Sequence, residues 1–113
     1  MVDTNFKPSR DLLPRIAPTT REGNVLIHGV VHDPAARAMG GVAGHAGLFT
    51  TAPDVALFCR MIISEGKLGK VRILKKESVA LMSRNQTPKL SQKVKRGIGW
   101  DIDSIYSSPR GAV

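Results

Sequence analysis

Gly40-Gly41-Val42-Ala43-Gly44-His45-Ala46-Gly47-Leu48-Phe49-Thr50-Thr51-Ala52-Pro53-Asp54 is the stretch on which the reading of this chain turns. Four glycines and two alanines among its first ten residues leave it almost without side-chain bulk. Such a segment either threads between packed elements or brings its backbone close to a ligand. His45 stands alone among small neighbours, so its imidazole either lines a pocket or acts as a spacer that fixes the loop. The end of the stretch predicts a helix. Thr51-Ala52-Pro53-Asp54 has the form of a capping box, with hydroxyl and carboxylate placed to satisfy the first free amides. Val55, Phe58, Met61 and Ile62 then recur at helical spacing, Leu57 widens the apolar stripe, and Gly66 ends it. Cys59 lies beside that stripe and is expected as a buried, inert thiol.

Upstream, residues 24–31 are apolar and rich in β-branched side chains, which predicts a short strand or extended loop. Asp33 is placed to cap a short helical turn over residues 34–39, with Pro34 at its first position and Gly40-Gly41 as its stop. Residues 1–23 read as an extended connector. Pro8, Pro14 and Pro18 are too closely spaced for a long helix, and Arg10, Arg15 and Arg21 sit between them.

Downstream, residues 67–74 form a basic loop or short strand. Residues 75–83 give a second short helix with Val79, Leu81 and Met82 as its apolar positions, weakly capped because Lys75 stands at its start. Residues 86–96 are polar and basic, and residues 97–102 alternate like a strand with Ile98, Trp100 and Ile102 on one face. The expected fold class is α+β, a partial domain of two short helices, one or two short strands and long loops around a thin core. Residues 1–113 are expected to be one segment of one domain, with 24–113 as its helix and loop region and 40–49 as a glycine-rich loop.

Composition bounds the function. The chain has 113 residues and a net charge of +8, and 4% of its residues are aromatic. A chain of this length supports one modest core. No apolar run approaches a membrane span, and the first residues carry no basic stretch followed by an apolar one, so no signal peptide is expected within them. A single cysteine excludes an internal disulfide framework and a multi-cysteine zinc site.

Histidines and serines supply the candidate chemistry. His28 and His32 stand four apart and precede Asp33, but no HExxH glutamate and no third ligand lies nearby, so local hydrogen bonding is the preferred reading over a metal site. Ser64-Glu65-Gly66-Lys67 matches S-x-x-K, Ser83-Arg84-Asn85 matches S-x-N, and Lys95-Arg96-Gly97 resembles K-T-G. Ser64 falls at the end of its helix and Gly66 breaks the next turn, so Lys67 is not one turn away on the same face. These are chance matches. The basic runs Lys67, Lys70, Arg72, Lys75, Lys76 and Lys89, Lys93, Lys95, Arg96 lack interleaved aromatics, which favours a solvated face over a nucleic-acid surface.

Val31-His32-Asp33, residues 40–52, Asp54, Arg96-Gly97-Ile98-Gly99-Trp100-Asp101 and Tyr106-Ser107-Ser108-Pro109-Arg110-Gly111 together resemble the β-lactamase-related serine hydrolases. That group holds class C β-lactamases, penicillin-binding D-alanyl-D-alanine carboxypeptidases and related esterases. The resemblance extends over nearly the whole chain and is most specific in residues 40–52. It implies that the S-x-x-K nucleophile and a Tyr-x-Asn or Tyr-x-Asp motif precede these residues and that a (Lys/His)-(Thr/Ser)-Gly strand follows them. The chain is therefore expected to be an internal piece of such a hydrolase, inactive alone, with no catalytic residue of its own.

The resemblance further implies that Gly44, His45, Ala46 and Gly47 line the substrate cleft. The intact protein would form and hydrolyse an acyl-serine on a β-lactam, a peptidoglycan peptide or an ester, with no cofactor and no metal. Its implied partners are the remainder of its own domain and the substrate, with no nucleic acid, and its implied place is extracytoplasmic or periplasmic. Two other expectations stand beside this one. A small basic module for nucleic acid or another polyanion would show steep salt dependence. A self-associating piece would show melting that depends on concentration.

Overall fold

The computed structural model describes residues 1–88 and 94–104. It is α+β, with short helices and three separate two-stranded antiparallel ladders. The chain divides into two compact units, residues 1–57 and 58–113. Residues 89–93 and 105–113, which include Lys89, Lys93 and the segment from Tyr106 to Gly111, lie outside the described residues.

In the first unit, the opening residues are not uniformly extended. A 3-10 helix runs over Arg10–Arg15, held by Leu12 N–H to Ser9 O (3.0 Å) and Ile16 N–H to Leu13 O (3.2 Å). Pro14 fits here because a turn this short needs few donors. Strand β1 (Thr20–Glu22) pairs with β2 (Val25–Ile27) in the register Thr20↔Ile27, Arg21↔Leu26 and Glu22↔Val25. The connection is the two-residue loop Gly23-Asn24, with Gly23 at φ +58°, a geometry that hairpin turns favour. Thr19 ties the hairpin down, its hydroxyl donating to Val30 O at 2.6 Å.

Helix α1 (Pro34–Ala38) starts as its sequence requires. The Asp33 carboxylate accepts from Ala36 N–H at 2.7 Å and Pro34 occupies the first turn. Gly41 N–H returns to Ala36 O at 2.8 Å with φ +83°, closing the helix in the left-handed region. The core of this unit is small: Val31, Ala36 and Ala43 are buried, and half-buried Ala46 packs on them.

Helix α2 covers Ala52–Ile63. Gly66 N–H caps its end on Met61 O at 2.9 Å, and a Cβ on Gly66 would sit 2.2 Å from Leu74 O. Two sequence expectations fail on this helix. Cys59 is exposed rather than buried, because it falls outside the strip that covers Met61. Val55, placed on the apolar stripe, is also exposed.

The second unit holds the hairpin of β3 (Lys67–Leu68) and β4 (Val71–Arg72), helix α3 (Lys76–Ser83), and the pair β5 (Lys95–Arg96) with β6 (Asp101–Asp103). Lys75 precedes α3 without a side-chain cap, as its residue type predicts. Residues 97–102 do not form one strand. Gly97 N–H bonds Trp100 O at 2.9 Å and Gly99 has φ +75°, so 97–100 is a turn and β6 begins at Asp101. Charges flanking that turn face each other across the ladder: Lys95 meets Asp103 at 3.1 Å and Arg96 meets Asp101 at 3.9 Å. Met61 and Val79 are buried, and Phe58 stacks on Trp100 with ring centroids 5.9 Å apart and planes 16° from parallel. The core of the described residues is thin, with no large side chain fully buried.

Candidate functional site

The glycine-rich loop follows α1 and precedes α2, and its residues divide by role. Gly47 has φ +108°, and a Cβ there would lie 2.7 Å from Gly41 O. The loop folds back on itself at that contact, and only glycine fits. Gly44 faces open space, and Ala46 turns toward the small core. His45 is exposed, with Nε2 2.9 Å from Asp33 Oδ1. One carboxylate oxygen thus caps α1 and holds the imidazole, the spacer role weighed for His45. The Ala36 amide, followed by His45, holds the Asp33 carboxyl below its ordinary range.

A second polar cluster lies at the start of α2. Thr51 Oγ1 accepts from Asp54 N–H at 3.4 Å, so half of the predicted capping box is present. The reciprocal half is redirected. Asp54 Oδ2 accepts from Thr4 Oγ1 at 2.7 Å and from Asp3 N–H at 2.9 Å. Asp54 is 4% exposed, and its carboxyl is held low first by the Thr4 hydroxyl and then by the Asp3 amide, against desolvation. The strap continues through Asn5, whose N–H and C=O pair with Phe49 O (3.0 Å) and Phe49 N–H (2.9 Å).

Between this strap, the 3-10 helix and the end of the loop lies a cleft of about 650 Å³. Asn5, Leu12, Arg15, His32, Gly47 and Phe49 are among its walls. The Asn5 side-chain oxygen is buried and has no hydrogen-bond partner among the described residues. Arg15 is drawn toward Asp3 at 3.5 Å. Of the four residues singled out in the sequence, Gly47 lines this cleft and Gly44, His45 and Ala46 do not. Asn5 and Arg15 carry no motif that marks them. Asn5 reaches the cleft through its pairing with Phe49, more than forty residues away in sequence, and Arg15 from the end of the 3-10 helix.

The other candidates sit apart. His28 Nδ1 bonds Ile16 O at 2.8 Å, the local role preferred for it. Among the described residues no group of three His, Cys, Asp or Glu side chains is placed to hold a metal. Ser64 follows the last residue of α2 and Lys67 opens β3, so the helical relation that S-x-x-K chemistry needs is not present. The Asn85 carboxamide is engaged by Thr87 through N–H (2.9 Å) and Oγ1 (3.0 Å). Lys95 and Arg96 are engaged with Asp103 and Asp101.

No family model matches the chain. It is similar to curated proteins named "Putative D-alanyl-D-alanine carboxypeptidase". The relatives from Salmonella agona (strain SL483) and Salmonella typhi are 33% identical over 108 residues, covering 83% of this chain and 24% of their own length. The one from Escherichia coli (strain K12) is 30% identical over 107 residues, covering 87% of this chain and 24% of its own. The chain spans about a quarter of the length of these relatives. This similarity supports a relationship to a hydrolase.

Proposed function

We propose that these residues are part of a serine hydrolase of the penicillin-binding, β-lactamase-related kind, acting on a D-alanyl-D-alanine peptide or a chemically similar acyl compound. The observation that carries this reading is the alignment, at 33% identity, along 83% of the chain with relatives bearing a D-alanyl-D-alanine carboxypeptidase name. In this reading the glycine-rich loop is a scaffold for one wall of the substrate cleft. Gly47 gives the loop its fold and Asp33 holds His45 at its outer edge. The acyl-serine nucleophile comes from polypeptide outside these residues, which agrees with the positions of Ser64 and Lys67. Acyl transfer then follows the usual course, with a serine activated by a neighbouring base and the oxyanion held by backbone amides.

The test is acylation by a fluorescent penicillin, with release of D-alanine from a D-alanyl-D-alanine peptide measured alongside. The 113-residue chain and a full-length protein containing it are compared. Labelling of the full-length protein and none of the chain alone is expected. Labelling of the chain alone, lost in Ser64→Ala, would overturn the assignment of the nucleophile to another segment.

A further inference from the structure

The hairpin that follows α2 carries a combination that the hydrolase reading does not use. Two-residue connection Gly69-Lys70 joins β3 to β4, with Gly69 at φ +59°. The register pairs Lys67 with Arg72 and Leu68 with Val71, and directly opposed residues share a face. Leu68 and Val71 therefore share a face, and just past β4 Gly66 O accepts from Ile73 N–H at 2.8 Å and Leu74 N–H at 3.1 Å, which holds Ile73 beside the hairpin. Val71 is 63% and Ile73 is 54% exposed, and Ile63 at the end of α2 is 80% exposed. Three bulky aliphatic side chains within eleven residues therefore meet solvent.

The charges around them are predominantly positive. Residues 63–77 hold five basic and two acidic side chains. Glu65 is taken by Lys76 at 2.8 Å, and Arg72 is spent on the carbonyls of Glu65 (3.0 Å) and Leu74 (2.9 Å). Lys67, Lys70 and Lys75 are exposed and make no ion pair among the described residues. Aliphatic side chains bordered by unpaired lysines are what a segment needs to rest in the boundary between anionic headgroups and acyl chains. Nucleic acid is a poorer match, because the described aromatics of this unit, Phe58 and Trp100, are stacked on each other.

We propose that the β3–β4 hairpin with the end of α2 is a docking surface for an anionic phospholipid membrane. Val71, Ile73 and Ile63 enter the interface, Lys70 at the turn and Lys75 contact the headgroups, and Lys67, on the opposite face of the hairpin, reaches them by extending its long aliphatic stem. This inference is independent of the proposed hydrolase activity.

The test is co-sedimentation of the chain with vesicles of phosphatidylglycerol mixed into phosphatidylcholine, against vesicles of phosphatidylcholine alone. Binding to the anionic vesicles is expected, weakened by salt. A near-surface basic residue is worth about fivefold in affinity, so Lys67→Gln/Lys70→Gln/Lys75→Gln is expected to lose about a hundredfold. The triple Lys→Arg variant at the same positions is expected to keep binding. Val71→Ser/Ile73→Ser is expected to lose binding with its circular dichroism unchanged. Lys7→Gln/Arg10→Gln/Arg21→Gln removes the same charge from the first unit and is expected to keep binding. Equal loss in that control would overturn the proposal in favour of unspecific charge attraction. Equal affinity for heparin or duplex DNA, or a dimer that Val71→Ser/Ile73→Ser dissociates while vesicle binding persists, would overturn it as well.

Discussion

The entries to α1 and α2 each carry an aspartate, at the N-cap of α1 and in the first turn of α2, and they use it in opposite ways. At α1 the carboxylate of Asp33 is turned back on its own helix, and its distant partner among the described residues is the exposed His45. At α2 the carboxylate of Asp54 turns away from its own helix and is buried against residues fifty positions earlier. The first is a local device whose cost of removal is limited by solvent, which can replace a lost partner. The second closes a long loop, so its removal leaves the Asp3 amide unpaired and the Thr4 hydroxyl with Thr50 alone, and loosens the strap that walls the cleft. Sequence position is similar in the two cases. Burial and the reach of the carboxylate separate them.

Asp54→Ala is the change that breaks this contrast most directly. It is expected to lower Tm by about 5–10 °C in a calorimetric melt and to raise proteolysis at residues 1–8. Asp54→Asn, which keeps an acceptor, is expected to lose less. Next in size is Gly47→Ala, expected to cost about 1–3 kcal/mol in denaturant unfolding because the new methyl meets Gly41 O in a left-handed backbone. Asp33→Ala should lower Tm by about 3–5 °C, and His45→Ala by less, since the cap itself survives. A Tm loss for Asp33→Ala as large as that for Asp54→Ala would erase the distinction between local cap and long-range tether.

Acid sharpens the same comparison. Both carboxyls sit below their ordinary value of 3.8, so their stabilisation is complete above that value and is lost as pH falls through the lower, folded-state one. Unfolding between neutral pH and pH 2, followed by circular dichroism, should lose part of its acid limb in each Asp→Ala variant. The smallest expected effect is that of Thr51→Ala, under about 1 kcal/mol, because its bond to Asp54 N–H is long at 3.4 Å.

How much of this was legible follows from the range of each interaction. The Asp33-Pro34 start of α1, the run of α2 and the bare lysine start of α3 are written within four or five residues, and all three are found. The strands are two or three residues long, too short for an alternation to be read. The hairpins left a narrower mark, Gly23-Asn24 and Gly69-Lys70, two-residue loops whose first member has positive φ. Gly97 and Gly99 had the same meaning and were outweighed by the alternation of Ile98, Trp100 and Ile102. At the site, His45 and Gly47 stood out because their neighbours are small. Their partners Asp33 and Gly41, and the reach of Asp54 to Thr4, are matters of tertiary placement that no spacing encodes.

Trp100 is the only tryptophan in the chain, and its ring lies against Phe58. Indole emission excited at the red edge therefore reports on the second unit alone, and the first unit, with its strap and glycine-rich loop, is dark in that channel. An amide signal sees both. A melt recorded in the two channels at once separates units that unfold together from units that unfold in turn: coincident curves mean one cooperative transition, and a shifted indole curve means two.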